Sequence, residues 1–343
     1  MLKKKKIGCL SLLLLSPLTM AMQPLDDQTL AKAIGQDGLN IGINVSKIDF
    51  KQIAIIDTDG FGAGSSKAGL VVAANPNGAT PGVDFVQTFN SDGTIQNSFS
   101  ELLQAVIDTD AGTVVVGPNT GGAFANIAVM LGSGVNGIRI RPLSVYLVPD
   151  DPVIDAISIR NGSVYTQKSI FSSGTTLKSN NIKELLRTDN IDIKFVAANK
   201  PTMNIQLGAA PQGHMIKFGG AIDSICGPTT ANPDGCTLNL VSGTTGAKFK
   251  LQMTADDSDP LDTVTGFSLN GFYAGIETNG FVFGNTDKSE KFNASLNNVW
   301  LGDTIPTGSL DSNTFNGLQN GSMGNWGIKG ASITDLKVKV SGL

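Results

Sequence analysis

The sequence is poor in the side chains that most catalytic and metal centres use. Its 343 residues include one histidine, three cysteines and two tryptophans, and glutamate occurs only at positions 101, 184, 277 and 290. Cys9 lies in the N-terminal export signal described below, and without it two thiols and a lone histidine remain, which do not make a zinc site. No Gly-x-Ser-x-Gly motif lies beside a suitable base, so a Ser-His-Asp hydrolase is not expected. We predict that the chain is not an enzyme.

Clustered cations and long apolar runs are also scarce. After the first six residues no block of lysine and arginine occurs, and the net charge is −4 with a pI of about 5.0. Nucleic-acid binding requires clustered cations, so we expect no nucleic-acid partner. The most apolar later stretch, 114–135, is interrupted by glycine and proline and is too broken for a spanning helix of about 20 residues.

The first 21 residues have the parts of a removable export signal. Lys3–Lys6 are basic, Ile7–Leu15 form a short apolar run, and Thr19–Ala21 is a small-x-small cleavage site. Cys9 precedes most of the apolar run, which disfavours the alternative of a lipidated cysteine. The sequence therefore predicts a signal peptide at 1–21 and an exported mature chain.

The segment 22–46 combines a short helix pattern, a turn and a strand. Asp26 and Asp27 can cap a helix that Gly35 would end. The alternating stretch Leu39–Val45 is typical of a half-buried strand. The order of these residues resembles the N-terminal segment of the FilA-like pilus-assembly proteins of Gram-negative bacteria, with Ile34 departing from the small hydroxyl residue of that pattern. The matching residues are Leu25, Asp26, Asp27, Leu30, Gly35, Gln36, Gly38, Leu39 and Ile41.

That resemblance implies an exported protein of a surface appendage, without enzymatic activity. It covers about the first tenth of the chain. Its partners would be other envelope or pilus proteins. Its location would be the periplasm, the outer-membrane surface or an extracellular appendage.

Two cysteines remain after signal removal, Cys226 and Cys236, and they bracket a loop rich in glycine, proline and asparagine. Exported chains meet oxidising conditions, so a disulfide that closes this loop is predicted. The competing hypothesis of a metal site lacks further thiols.

Short apolar runs separated by turn residues cover most of the remaining chain. This pattern predicts a mainly β fold with many short antiparallel strands, in a sandwich-like or elongated β-roll architecture. The predicted strands are Ile53–Ile56, Leu70–Val72, Val83–Phe89, Val114–Val116, Ile127–Leu131, Ile138–Ile140, Leu143–Val148, Ile191–Ala197, Met203–Leu207, Met215–Phe218, Leu238–Leu240 and Ser332–Val340.

Two short helices are also predicted. Ser98–Glu101 forms a capping box, and the apolar residues that follow have helical spacing, which predicts a helix over 99–109. Asn181–Glu184 predicts the start of a second helix that continues to Arg187.

Asparagine-glycine pairs punctuate the C-terminal part at 270–271, 279–280, 316–317 and 320–321, with Asn297-Asn298 between them. Such pairs favour hairpin turns, which we prefer to the alternative of a stacked β-solenoid. Region 47–198 and region 199–343 are either two β regions or one continuous domain.

Two aspartate-rich loops are candidate calcium sites, because calcium binds carboxylate oxygens. One contains Asp256, Asp257, Asp259 and Asp262, and the other begins at Asp57. Aspartate also forms turns, so solvated turn residues are the simpler interpretation. No other cofactor is predicted.

The remaining candidates are His214, Trp300 and Trp326. His214 lacks the surroundings of a catalytic base and is interpreted as structural. The tryptophans, with Phe272 and Tyr273, belong either to the core or to a sugar-binding platform. The sequence thus predicts an exported structural or accessory protein of pilus assembly. The alternative is an adhesin-like domain that binds glycan or protein, with calcium as an optional ligand.

Overall fold

The structure is a computed structural model. It describes residues 38–57, 68–75, 80–111, 122–149, 156–159, 163–166, 183–242, 245–257, 266–304, 315–316 and 322–342. By its internal contacts the chain forms two compact units, Met1–Leu39 and Asn40–Leu343. The fold below concerns the second unit.

The described residues form β-strands and contain no helix. Alternating apolar residues and frequent turn formers account for this composition, since both favour strands joined by short connections. The strands are β1 Leu39–Ile43, β2 Lys47–Asp49, β3 Gln52–Asp57, β4 Ala68–Ala73, β5 Gly82–Val86, β6 Thr88–Phe89, β7 Ile95–Gln96, β8 Leu103–Asp110, β9 Phe124–Leu131, β10 Gly137–Ile140, β11 Ser144–Pro149, β12 Ala156–Ile159, β13 Ser163–Thr166, β14 Lys183–Thr188, β15 Ile191–Phe195, β16 Thr202–Gly208, β17 Ile216–Gly219, β18 Ala221–Ile225, β19 Cys236–Ser242, β20 Thr245–Ala255, β21 Phe267–Ser268, β22 Phe272–Glu277, β23 Gly280–Asn285, β24 Phe292–Thr304, β25 Phe315–Asn316, β26 Ser322–Ala331 and β27 Lys337–Val340.

The mainly β prediction is confirmed, and each predicted strand that lies among the described residues overlaps an observed one. Val114–Val116 lies outside the described residues, as does the helix pattern before Gly38. Gly38 itself has φ 65°, the left-handed conformation of a turn glycine.

Both helix predictions that can be compared with the structure are wrong. The segment predicted as helix 99–109 contains β8, which pairs with β9 from Leu103↔Leu131 to Asp110↔Phe124. The segment predicted as helix 181–187 contains β14, which lies between β11 and β19. In both cases long-range pairing along the whole strand outweighs a local helix signal of a few tenths of a kcal/mol per residue.

Eight strands form one sheet in the order β1-β8-β9-β16-β17-β22-β23-β27. Every pairing from β8 to β27 is antiparallel. The first and last strands of the described chain therefore lie at opposite edges of this sheet.

A second sheet has fifteen strands, with the main order β2-β5-β10-β15-β18-β20-β19-β14-β11-β4-β3. On this sheet β21 also pairs with β18, and β24 connects β20 to β25 and β26. The two ends of the main path, β2 and β3, are separated in sequence only by Phe50 and Lys51. Three residue steps span about 11 Å at most, so the sheet must curve until its ends come close.

An apolar core lies where the two sheets and their connecting segments meet. Leu102, Val135 and Phe195 are buried at its centre. Partly buried side chains pack against them: Leu103 and Leu131 from the eight-stranded sheet, Phe85, Ile138 and Ile193 from the fifteen-stranded sheet, and Val45 and Phe99 from connecting segments. The architecture is sandwich-like in this region.

The C-terminal turn predictions have mixed outcomes. A tight hairpin joins β22 to β23 at Asn279-Gly280, as predicted; Thr278 and Asn279 form the connection and Gly280 begins β23. Asn297-Asn298 does not form a turn but lies inside β24, where the register with β20 and β26 shifts. Asn298 has φ 52°, so this pair forms a β-bulge in a long strand. Gly317 and the pair 320–321 lie outside the described residues.

Candidate functional site

The disulfide prediction is confirmed. Cys226 follows β18, Cys236 begins β19, and their sulfur atoms are bonded with the Cα atoms 5.2 Å apart. Both residues are buried. The bond closes the loop between two strands of the fifteen-stranded sheet, so its role is to hold that loop to the sheet.

A polar pocket of about 150 Å³ lies beside the disulfide. Arg139 occupies one wall and donates to both carboxylate oxygens of Asp192, with an Nε–Oδ1 distance of 2.6 Å and an Nη2–Oδ2 distance of 2.8 Å. Its Nη1 donates to the carbonyl oxygen of Gly93 at 2.9 Å. These bonds engage all three guanidinium nitrogens, which favours a structural role for the pair.

The calcium predictions are only partly covered by the structure. Asp57 ends β3, and the three residues after it lie outside the described residues. Asp256 is buried, and its backbone N–H donates to the carbonyl oxygen of Lys291. Asp257 accepts a hydrogen bond from the N–H of Gly266 at 3.0 Å and so joins the two ends of its loop.

Asp259 and Asp262 lie outside the described residues. Within the described part of the chain, no three His, Cys, Asp or Glu residues form a group suited to a metal ion. The described half of the aspartate loop thus has turn-forming bonds, and calcium binding there stays a prediction.

His214 is half-buried and stacks on Tyr273, with ring centroids 3.6 Å apart. Burial lowers the pKa of His214, and the nearby cations Lys217 and Lys337 lower it further, while Glu277 acts in the opposite direction. A neutral ring packed on a tyrosine fits the structural interpretation made from the sequence.

The two tryptophans are exposed but lie on opposite faces of the sheet. Trp326 pairs with Leu296, whereas Trp300 pairs with Lys248. Directly paired residues share a face, and the register of β19, β20 and β24 places Leu296 and Lys248 on different faces. The two indoles therefore do not form one sugar-binding platform. Among the other aromatics, Phe272 is buried in the core.

An apolar pocket of about 210 Å³ lies between the two sheets. Aromatic side chains form much of its wall, and the described polar atoms contribute little to it. The lining includes Phe267, Phe272, Phe283, Phe292, Ile225, Met253, Ile333 and Leu336. Because its walls are core residues of both sheets, it is a gap in the packing of the sandwich.

A further feature is an exposed apolar surface that the sequence analysis missed. Seven neighbouring strands of the fifteen-stranded sheet each contribute one apolar residue to a continuous row. Strand by strand, the row contains Ile53, Val72, Val145, Leu186, Leu240, Ala247 and Leu301. A second, shorter row contains Ile55, Leu70 and Leu147. We call these ten residues the apolar face.

Six members of the apolar face are large and exposed. Ile55 is 72% exposed, and Ile53, Leu70, Leu147, Leu240 and Leu301 are between 37% and 47% exposed. The opposite side of the same strands is enclosed, since Ala54, Val71, Ala73, Tyr146 and Val148 are all buried. These strands are therefore apolar on both sides, although only one side is enclosed within the chain.

The apolar face continues the side of the sheet that forms the core. Along β20, Ala247 and Met253 project to the same side, and Met253 pairs with Ile225. Ile225 pairs with Ile193, which packs against the core cluster of Leu102, Val135 and Phe195. The apolar face is the part of this side on which large apolar side chains stay exposed.

The sequence carried a signal for this surface. The runs Gln52–Asp57, Ala68–Ala73 and Ser144–Pro149 have apolar residues at successive positions, not at alternate ones. Such continuous runs belong to strands that are buried on both sides. One of these two sides is exposed among the described residues, so it is a candidate contact surface.

The N-terminal part of the chain is similar to one protein family. Residues 1–101 match the profile of a protein family that is described as a family of unknown function, DUF6160. The match covers less than a third of the 343 residues. No curated protein and no solved structure matches the chain. Among the described residues, no helix is long and apolar enough to cross a membrane.

Proposed function

We propose that the chain is an exported protein of the bacterial cell envelope that serves as a structural or accessory protein in pilus assembly. The observation that carries this proposal is the apolar face. The N-terminal segment that resembles the FilA-like proteins and the disulfide both agree with export and with a surface appendage. The proposed location is the periplasm, the outer-membrane surface or the appendage itself.

The physical argument concerns the size and composition of the apolar face. Seven strands spaced about 4.8 Å apart extend the row over about 29 Å. Burial of a half-exposed leucine or isoleucine releases about 1 kcal/mol, so a partner that covers all six exposed members gains on the order of 6 kcal/mol before the entropic cost of association. Exposed apolar patches of this extent mark protein interaction sites or membrane-contacting surfaces.

The proposed partner is another envelope or pilus protein. The test compares a tagged wild-type chain with the double variant Ile55→Thr/Leu147→Thr in the bacterium. Threonine keeps the strand preference while it removes apolar surface. Met130→Thr is the matched control, because Met130 is similarly exposed but lies on the eight-stranded sheet.

We expect the wild-type chain and the Met130→Thr control to fractionate with the envelope and to co-purify with pilus or envelope proteins. The double variant should lose those partners. A wild-type chain that is found as a free monomer would contradict the proposal. The purified wild type could instead float with lipid vesicles while the double variant does not. That result would assign the apolar face to lipid and would also contradict the proposal of a protein partner.

The second candidate function is an adhesin-like domain that binds glycan or protein. The exposure of Trp300 and Trp326 favours it, because an exposed indole can stack on a sugar ring. Since the two indoles lie on opposite faces, they would act as separate contacts. Glycan-array binding that is lost in Trp300→Ala or in Trp326→Ala, and that responds to calcium through Asp257→Asn, would support this alternative.

A further inference from the structure

Among the described residues, no further strand pairs with either edge of the eight-stranded sheet. β1 forms one edge and β27 the other, and every residue of both strands is exposed. In the described part of the chain β1 pairs only with β8, and β27 pairs only with β23. Each strand therefore presents one side of its backbone to a further strand.

The basic residues of this sheet lie near the β27 edge. Lys337 and Lys339 alternate with Val338 and Val340, so both lysines project from one face. Lys337 pairs with Gly284, Gly284 pairs with Tyr273, and Tyr273 pairs with Lys217, so Lys217 lies on that same face. Glu277 contacts Lys337 with an Nζ–Oε1 distance of 3.3 Å, so lysines outnumber carboxylates at this edge.

Two aspartates lie near the opposite edge on the same face. Asp108 and Asp110 are exposed residues of β8, the neighbour of β1. Asp108 pairs with Asn126, and Asn126 pairs with Gln206, so these three residues share a face. Gln206 and Asn204 project to the same side of β16, and Asn204 pairs with Lys217. Asp108 and Lys217 therefore lie on the same face. One face of the sheet is thus acidic near β1 and basic at β27.

We infer that this chain associates with a second copy of itself, edge to edge, with β27 of one copy beside β1 of the next. Strand addition supplies backbone hydrogen bonds between the two edges. It also brings the basic edge of one copy towards the acidic edge of the next, because β27 and the neighbouring copy's β8 are then two strand spacings, about 10 Å, apart.

Charge also selects this arrangement over the symmetric ones. Two β27 edges would bring four lysines together, and two β1 edges would bring four aspartates together, which repel at short range. Only the unlike edges attract each other. Such a heterologous contact leaves a free edge at each end, so it produces an open chain of copies or a ring.

This inference concerns a surface separate from the apolar face, and its failure would leave the proposal about that face standing. The purified mature chain with its disulfide intact is studied by sedimentation velocity at low and high salt. We expect concentration-dependent association that weakens at least about tenfold between 0.05 and 0.5 M salt, because screening shortens the range of the charge attraction.

Charge reversal then tests the edge assignment. The variant Lys337→Glu/Lys339→Glu makes both edges acidic, and the variant Asp108→Lys/Asp110→Lys makes both edges basic. Each variant alone should associate at least about tenfold more weakly than the wild type, because like charges now meet at the contact. An equimolar mixture should restore association, since every contact again joins unlike edges.

Restoration in the mixture also shows that both variants are folded. A wild-type chain that stays monomeric at about 100 µM, far above the concentration range in which specific complexes form, would overturn the inference. Variants that associate as tightly as the wild type would overturn it as well. The inference would also be overturned if the mixture fails to associate although both variants have the circular dichroism spectrum of the wild type.

Discussion

The guanidinium of Arg139 on β10 binds the carboxylate of Asp192 on β15 through two parallel hydrogen bonds. The pair also lies at directly opposed positions of the two strands. Both side chains are nearly buried, at 10% and 13% exposure. The pair therefore joins two central strands of the fifteen-stranded sheet in a region that water scarcely reaches.

We predict that Arg139→Met lowers the free energy of unfolding by about 3 kcal/mol, because it leaves the Asp192 carboxylate buried without its partner. Urea unfolding monitored by circular dichroism measures the loss. The exposed pair of Lys337 and Glu277 provides a control, and Lys337→Met should cost less than about 1 kcal/mol. Equal losses in the two variants would contradict the importance of burial.

The disulfide should contribute to stability through the loop that it closes. Cys226 and Cys236 are 10 positions apart, and closing a loop of about this length stabilises the folded state by about 2–3 kcal/mol. The variant Cys226→Ala/Cys236→Ala should therefore melt at a lower temperature than the oxidised wild type. A reducing agent should lower the melting temperature of the wild type and leave that of the variant unchanged.

Two glycines with similar backbone angles should respond differently to alanine. Gly220 (φ 80°) lies between β17 and β18, where an added Cβ would overlap the backbone of Lys200, whereas Gly213 (φ 93°) has open space. Gly213→Ala should cost about 1 kcal/mol, the usual strain of an alanine in the left-handed region. Gly220→Ala should cost clearly more in the same unfolding experiment. Equal costs would show that the close approach to Lys200 is unimportant.

His214 should make stability depend on pH. Its pKa is lowered in the folded chain, mainly by burial, from an ordinary value of 6.5. The unfolded chain then binds more protons than the folded chain as the pH falls below 6.5, so the free energy of unfolding should decrease there. The contribution is fully present above 6.5 and is lost as the pH falls through the folded value.

The variant His214→Gln isolates this contribution. Subtracting its unfolding free energies from those of the wild type, between pH 5 and 8, should give a difference that decreases as the medium becomes more acidic. A difference that is independent of pH would show that the folded and unfolded pKa values of His214 are the same.

The class of the fold and many strand positions could be predicted because the signals are local. Alternating apolar residues such as those around Ile138 and Ile140 define strands, and Asn279-Gly280 defines a hairpin. The disulfide could be predicted from the spacing of the cysteines and from the expectation of export.

The failures have a common cause, which is that pairing partners are distant in sequence. Ser98–Glu101 has the pattern of a capping box, but Leu103 pairs with Leu131 in a sheet, and the local preference is overridden. Asn297-Asn298 was interpreted as a turn signal and is a bulge, because β24 continues its pairing with β20 on both sides.

The candidate site was the least predictable part. Sequence patterns distinguish apolar residues from polar ones, but they do not show whether the chain itself covers a given apolar side. Leu147 and Val148 are neighbours of similar character, yet Val148 is buried and Leu147 is exposed on the apolar face. The two side chains project to opposite sides of β11, and only the side of Val148 is enclosed, which is a property of the whole fold.

The most direct test of the proposed function is photo-crosslinking in the bacterium from a photoreactive residue at position 147, with position 130 as the control. The account predicts that position 147 forms specific adducts with an envelope or pilus protein, which mass spectrometry then identifies, and that position 130 does not. No protein adduct from position 147, or the same adducts from both positions, would contradict the assignment of the apolar face to a protein partner.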